Sequence, residues 1–567
     1  MAASATTSRR ARVFSRVLDD RPGATVLAQA GGMLASTFTT ALVGVAAELV
    51  RVEADVSFGL PGFTIVGLPD ASVRESRDRV RSAIRSAGLE FPPHKITVNL
   101  SPADLRKAGS SFDLPIAIAL LAAAGQVPRD PASRALVIGE LALDGRALPC
   151  RGVLPATLAC RASQLDAMVV PRANVPEARL VPGVDVRGAA TLTDALRAIR
   201  ERGPESDAMA PPATPRVLPE PDMADVQGQL LARRALEIAA AGHHNILFTG
   251  PPGAGKSMLA RRLPGLLPTW TFEEALDATA IHSAAGLVPP EGGLLANRPF
   301  RAPHHTVSTA ALIGGGPQPR PGEVSLAHRG VLLLDEVPEF DRRTLEVLRQ
   351  PVETGVVHLA RAARSVTFPA DFLLVAAMNP CPCGYHGHPR RQCRCRPGDA
   401  ERYAARISGP LLDRIDLVVQ VPPVEPSALT GPRSTAEATA PIRARVATAR
   451  ARQAARQPAV NGRLTGHALE CLRRSPALGR LLTQAMTALD LSARGADRCL
   501  RVARTIADLA GEDEVDRVHL AEALQFRFAD AAAEHSRTAN RSQAVARIAG
   551  TSTISMADAG GLSTART

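Results

Sequence analysis

The run Gly250-Pro251-Pro252-Gly253-Ala254-Gly255-Lys256-Ser257 follows the apolar stretch ILFT and opens a second apolar segment. In this G-x-x-x-x-G-K-S pattern the glycines let backbone N–H groups converge on phosphate oxygens, and the helix that starts there adds a favourable dipole. Lys256 is placed to reach the β- and γ-phosphates of a nucleotide such as ATP, and Ser257 to ligate Mg2+. Further along, Val331-Leu332-Leu333-Leu334 leads into Asp335 and Glu336. A buried parallel strand here would present both carboxylates at the C-terminal edge of a sheet. Asp335 then suits the Mg2+ shell, and Glu336 suits orientation or activation of an attacking water. A third apolar run, residues 372–380, ends in Asn379, whose amide can hold that water or the γ-phosphate, or can simply make a turn.

Lysine occurs only at Lys95, Lys107 and Lys256 in a chain that otherwise uses arginine. Lys256 therefore marks a site that calls for a compact ammonium rather than a planar fork. Four of the eight cysteines, Cys381, Cys383, Cys393 and Cys395, fall in one short stretch. Four thiolates at about 2.3 Å suit tetrahedral Zn2+, although the C-x-C pairs depart from the usual two-residue spacer and leave free thiols as the alternative. His386 and His388 stand in reserve as ligands. Arg390, Arg391, Arg394 and Arg396 make the stretch strongly basic, which fits either a metal-braced DNA contact or solvated charge.

Elements must position these groups, and 567 residues are enough for two or three domains. With 45% apolar and 22% charged residues the composition is that of a globular protein. No run approaches the roughly eighteen apolar residues of a membrane span, and the N-terminus lacks the pattern of a secretion signal, so a cytoplasmic protein without a membrane partner is expected. The formal charge of +12 favours an anionic partner such as nucleic acid.

Residues 1–32 carry no sustained pattern and read as a disordered extension, or as an upstream start with Met33 the true one. Residues 33–200 alternate short apolar runs with helical patterns, among them FTIVGL (63–68), KITVNL (95–100) and LPIAIALLAAAG (114–125). A proline-rich linker spans 201–221, and an α/β nucleotide-binding domain spans 222–425 with the cysteine-rich insertion at 381–395. Asp225 is placed to cap its first helix. A mostly helical domain spans 440–530, and 531–567 read as a disordered tail.

The order of the three strands resembles the AAA+ fold. The blocks PFRAPHHTVSTAALIGGG (299–316), RPGEVSLAHRGVLLLDEVPEF (320–340), MNPCPCGY (378–385), GPLLDRIDL (409–417) and SARGADRCLRVARTIADLA (492–510) are similar to the magnesium-chelatase-like ATPases of the ComM/YifB type. The resemblance covers about residues 33–530 and implies a multidomain α/β protein: a ribosomal-protein-S5-like, Lon-protease-like α+β domain, a P-loop AAA+ αβα core and a C-terminal helical lid. It implies a homohexameric ATP hydrolase acting on single-stranded or branched DNA, a helicase driving branch migration in natural transformation and recombination. The alternatives are a chelatase-type motor subunit and a protein remodeller or regulator. Arg414 in LLDRIDL matches the arginine finger that reaches the neighbouring subunit's γ-phosphate, and Arg498 the second sensor, with Arg501 on the same predicted helix as the alternative. The insertion from about His282 to Gly322, with Gly314, Gly315 and Gly316 at a hairpin or loop tip, would face the ring pore. Arg298, Arg301, His304 and His305 there would touch phosphate or else pack locally. In the first domain Ser111 falls at the Lon nucleophile position, but Ala156 falls where the lysine base belongs. A serine hydroxyl without a base is a poor nucleophile, so a binding or ring-organising module is expected.

Overall fold

The computed structural model describes residues 33–201, 219–288, 293–316, 319–361, 364–424, 436–489 and 491–527. The extension at 1–32, most of the linker and the tail lie outside these residues. The chain divides into two compact units, Met1–Leu42 with Ala47–Ala210, and Val43–Ala46 with Pro211–Thr567.

The first unit is built on seven strands, β1 (Met33–Val43), β2 (Ala46–Ser57), β3 (Gly62–Val66), β4 (Lys95–Ser101), β5 (Ala135–Val137), β6 (Ala167–Pro171) and β7 (Val186–Ala189), in the order β3-β4-β2-β1-β5-β6-β7. Period-two patterning sets the buried face: Val50, Val52, Ala54 and Val56 of β2 and Ile96, Val98 and Leu100 of β4 are essentially inaccessible. Helix α1 (Ala71–Ser86) begins where the Asp70 carboxylate accepts from Val73 N at 2.9 Å, a cap that satisfies one of the free N–H groups. Helix α2 (Asp113–Ala123), the LPIAIALL segment, is buried at every position. That is why its sequence shows no polar face. Helix α3 (Val153–Ala162) follows further along.

The second unit carries a five-stranded sheet of β8 (Ile246–Thr249), β9 (Phe300–Arg301), β10 (Val331–Leu334), β11 (Leu373–Met378) and β12 (Leu417–Gln420), ordered β9-β10-β11-β8-β12. All its pairings are parallel. Strands covered on both faces read as unbroken apolar runs, as VLLL and LLVAAM do. Alternate residues go to opposite cores. Phe248, Leu333, Val375 and Val419 join one cluster, and Leu247, Leu332, Leu334, Leu374 and Val418 join the other. The first cluster also contains helix α4 (Leu230–Gly242) and four helices from the C-terminal segment: α5 (Thr439–Arg456), α6 (Pro476–Leu489), α7 (Ala493–Ala510) and α8 (Arg517–Gln525). Phe526, just past α8, accepts a main-chain hydrogen bond from Val418 N on the edge strand at 2.8 Å.

Asp225 does not cap α4. It ends a 3-10 turn, Met223–Asp225, while Gln229, with left-handed backbone at φ +51°, precedes α4. The capping carboxylate is Asp222, which accepts from Ala224 N at 2.8 Å and Thr439 N at 2.9 Å and so ties this turn to the start of α5. The hairpin read at Gly314–Gly316 is present, with Gly314–Gly315 paired antiparallel to Arg320–Pro321.

Candidate functional site

Three strand ends meet at one edge of the second sheet. Thr249 of β8 pairs with Met378 of β11, and Leu334 of β10 pairs with Ala376, so the residues that follow each strand lie side by side. Gly250 N donates to Met378 O at 3.3 Å. A Cβ at Gly250 would collide with the carbonyl oxygen of Val421, which makes glycine necessary there. Gly253 and Gly255 supply the positive φ values, +76° and +94°, that turn the loop.

Lys256 is buried, and its Nζ donates to Gly250 O at 2.6 Å, Pro251 O at 3.0 Å and Asn379 Oδ1 at 3.0 Å. Burial pushes its amine below the usual lysine range, while the charges of Asp335 and Glu336 pull it back up. Ser257 Oγ donates to Asp335 Oδ2, and Asp335 Oδ1 accepts from Glu336 N at 3.0 Å. The hydroxyl and carboxylate read as a magnesium pair thus already stand in contact. Glu336 is exposed and adopts φ +53°. Holding a non-glycine residue there costs about 1–3 kcal/mol, a strain that clusters at working sites.

Arg414 and Arg498 are not brought to this edge. Both line a second cavity of about 330 Å³, together with Asn245, Phe372 and Asp416. Asn245, Phe372 and Asp416 stand just before the first residues of β8, β11 and β12, so the cavity lies at the opposite end of the strands from Lys256. Arg414 donates to Pro410 O at 2.7 Å and pairs with Glu353. Arg498 is only 4% exposed and stands 3.2 Å from Asp413. Burial, helped by the positive charge of Arg527, lowers its pKa against the pull of Asp413. Arg501 lines the same cavity and donates to Leu464 O at 2.9 Å.

Sequence reasoning missed Asn245. Its Nδ2 donates to Arg414 O at 2.9 Å and its Oδ1 accepts from Leu374 N at 3.0 Å, linking the Arg414 turn to β11, the strand that leads into Asn379. Its place immediately before the apolar run of β8 was the available signal. Arg298 and Arg301 are engaged locally: Arg298 lies over Trp270 and pairs with Glu274 at 3.1 Å, and Arg301 holds Glu323 through two contacts of 2.6 and 2.8 Å. Of the four basic groups read in that insertion, His304 is exposed, and His305 sits edge-on to Phe340.

The cysteine cluster is compact. Cys381, Cys383 and Cys393 place their sulfurs 3.4, 3.5 and 3.7 Å apart, and with Cys395 all four lie within 4.8 Å of one another. Metal–sulfur bonds of about 2.3 Å in a tetrahedron put sulfurs about 3.8 Å apart, so the spacing fits one ion. His386 N donates to Cys381 Sγ at 3.3 Å. The His388 ring accepts backbone N–H groups of Arg390 and Arg391 at Nδ1, which leaves only Nε2 as a ligand atom in reserve.

Three family models match the chain: "Magnesium chelatase, subunit ChlI" over residues 222–429, "Subunit ChlI of Mg-chelatase" over 52–174, and "Magnesium chelatase, subunit ChlI C-terminal" over 436–527. The competence protein ComM of Haemophilus influenzae is 44% identical over 503 residues, 87% of this chain and 97% of that protein. The YifB protein of Escherichia coli is 43% identical over 509 residues, 88% of this chain and 97% of its own length. The chain belongs to the ComM/YifB family of magnesium-chelatase-like AAA+ proteins. A Lon protease of Chloroflexus aurantiacus is also similar, 31% identical over 179 residues, 30% of this chain and 21% of the protease.

In this ComM/YifB-type chain Ser111 lies in a 3-10 turn, Ser110–Phe112, and its carbonyl accepts from Gly139 N at 3.1 Å. Ser110 donates to Glu140. Ala156 is fully buried within α3, whose Leu154 N donates to Glu177 Oε1 at 2.9 Å. The Lys107 ammonium is committed to Pro102 O in the interior.

Proposed function

We propose that this chain is an ATP-driven motor, a homohexameric DNA helicase that drives branch migration in the cytoplasm and serves recombination and natural transformation. The observation that carries this reading is the separation of the two half-sites. Lys256, Ser257, Asp335, Glu336 and Asn379 gather at the C-terminal end of the parallel strands, while Arg414 and Arg498 line a cavity at the N-terminal end. A strand of four residues such as β8 spans about 13 Å, more than an arginine covers from the wrong end. The arginines therefore serve the nucleotide of another copy, which a ring of identical subunits supplies.

Ser257 and Asp335 would hold Mg2+ and the Gly250–Ser257 backbone the phosphates; the ion supplies charge neutralisation as the terminal phosphoryl group leaves. Lys256 contributes a fixed positive charge, kept in place by Asn379. Glu336, exposed beside Asp335, orients the water and receives its proton. Arg414 of the next protomer completes the charge stabilisation, and Arg498 reports nucleotide from the same side. The four cysteines would hold Zn2+ as a structural ion. The Lon-like domain, with alanine where the base belongs, is proteolytically inactive and organises the ring.

The similarity to ComM favours DNA. The chelatase models favour the second reading, a motor subunit or remodeller that acts on a protein partner. Forked and four-way-junction DNA incubated with the purified protein, with and without ATP and with Lys256→Ala as control, separates them. ATP-dependent strand exchange and DNA-accelerated phosphate release support the helicase. Turnover that ignores DNA and rises only with a protein client would replace it with the remodeller.

A further inference from the structure

The cysteine loop and the phosphate loop touch. Cys381 is two residues beyond Asn379, whose amide holds Lys256. A Cβ added at Gly384 would stand 2.5 Å from Cδ and 2.6 Å from Cγ of Pro252, in the middle of the phosphate loop. Gly384 is also at φ +82°, so both space and backbone require glycine at this contact.

Away from that contact the same loop exposes Arg390, Arg391, Arg394 and Arg396. Residues 381–398 contain no Asp or Glu. The sulfurs and a histidine ring fix the main chain that carries these arginines. The backbone N–H of His386 donates to Cys381 Sγ at 3.3 Å, and those of Arg390 and Arg391 donate to His388 Nδ1 at 3.1 and 3.0 Å. The Arg391 guanidinium lies 5.1 Å over the Tyr385 ring and donates to its hydroxyl at 2.7 Å. A run of exposed guanidinium groups on a segment that itself carries no carboxylate, beside an aromatic ring, matches the repeating phosphates and stacked bases of a nucleic acid strand.

We propose that this loop is the DNA sensor of the motor: a strand bound along Arg390, Arg391, Arg394 and Arg396 acts on the nucleotide site through the Gly384–Pro252 contact and the Cys381–Asn379 junction. The inference rests on the reading of the chain as a DNA-dependent ATPase and adds where DNA is felt and by what route. The loop links bound phosphate to the phosphate loop through a short, cross-braced segment rather than through a domain movement.

The test uses the full-length protein, a single-stranded oligothymidylate and, as an acidic polypeptide control, polyglutamate. DNA affinity is measured against salt, and phosphate release with and without each polyanion. The triple variant R390A/R391A/R394A is expected to bind the oligonucleotide more than tenfold more weakly, to flatten the slope of log K against log salt by about 2, and to bring the ratio of DNA-stimulated to basal turnover close to unity. Gly384→Ala is expected to keep its DNA affinity and lose the stimulation ratio. Binding of a fluorescent ATP analogue checks that this variant is folded. Hydrogen exchange of the 250–257 peptide in the unaltered protein gives a variant-free measure, and it is expected to slow when the oligonucleotide is added. Wild-type affinity and stimulation in the triple variant, or equal stimulation by polyglutamate, would overturn the surface. An unchanged ratio in Gly384→Ala, or exchange at 250–257 indifferent to DNA, would overturn the route. If no DNA accelerates the unaltered protein, the motor-on-DNA reading fails first and takes this inference with it.

Discussion

The ammonium of Lys256 and the side-chain oxygen of Asn379 stand 3.0 Å apart although 123 residues separate them in sequence. The cation of the phosphate loop is therefore aimed by the strand next to its own in the sheet, three places later in chain order, and the two loops cannot shift independently.

Lys256→Ala removes the cation and leaves Asn379 without its partner. Phosphate release is expected to fall at least about a hundredfold, the scale on which losing one preorganised donor acts. Asn379→Ala should be milder and should show mainly in kcat, because Lys256 keeps its two backbone acceptors at 2.6 and 3.0 Å. Steady-state phosphate assays check both, and an Asn379 variant as inactive as the lysine variant would give the amide a direct part in the chemistry.

Arg414→Ala should depress turnover on the order of a thousandfold while nucleotide still binds. Mixing it with Lys256→Ala protein restores a share of turnover if the arginine acts on a neighbour, since some interfaces then pair an intact loop with an intact finger. Mixtures no more active than their components would place the arginine's action within its own chain or in structure alone.

The cysteine cluster predicts stoichiometric zinc in protein purified under reducing conditions, measured by elemental analysis. Cys381→Ser, at the fully buried member, should lose the metal and lower the melting temperature. Metal-free wild-type protein with the same melting curve would leave the four thiols without an ion.

Asp508 is the hub of the lid's polar interior. It accepts from Arg456 at 2.9 and 2.8 Å, from Asn461 at 2.7 Å and from Arg504 at 2.8 Å. Burial opposes its charge, but Arg456, Asn461 and Arg504 outweigh burial and hold its pKa below the ordinary value. A depressed carboxylate contributes stability that is complete above its unfolded pKa of about 4 and is lost as pH falls toward the folded value. Asp508→Ala, which removes the buried carboxylate shared by Arg456 and Arg504, should cost about 3–5 kcal/mol near neutral pH. The gap between variant and wild-type melting temperatures should narrow below about pH 4.

What could be read without coordinates followed from local rules. Gly250–Ser257 and the Asp335–Glu336 pair were legible because phosphate cradles and buried strands constrain neighbouring residues, and the family resemblance was legible because long blocks matched. Arg298 was ambiguous because its fate depends on Trp270 and Glu274, which only folding brings to it. Asp225 was misassigned as a cap because the chain closes a separate 3-10 turn at Met223–Asp225, capped by Asp222, which also reaches Thr439 N, 217 residues away, and α4 starts only after Gln229. The placing of Arg414 at the far end of the strands from Lys256 is a property of sheet direction, and no spacing along the chain expresses it.

The helices after residue 438 share one apolar core with α4 on one side of the nucleotide-binding sheet, and the backbone carbonyl of Phe526 takes a hydrogen bond from Val418 N on the edge strand β12. They are part of the core of this domain rather than a detachable appendage. A chain stopped short of Thr439 would bare that greasy surface along with an unpaired strand margin, and such a fragment should clump instead of yielding a small working ATPase.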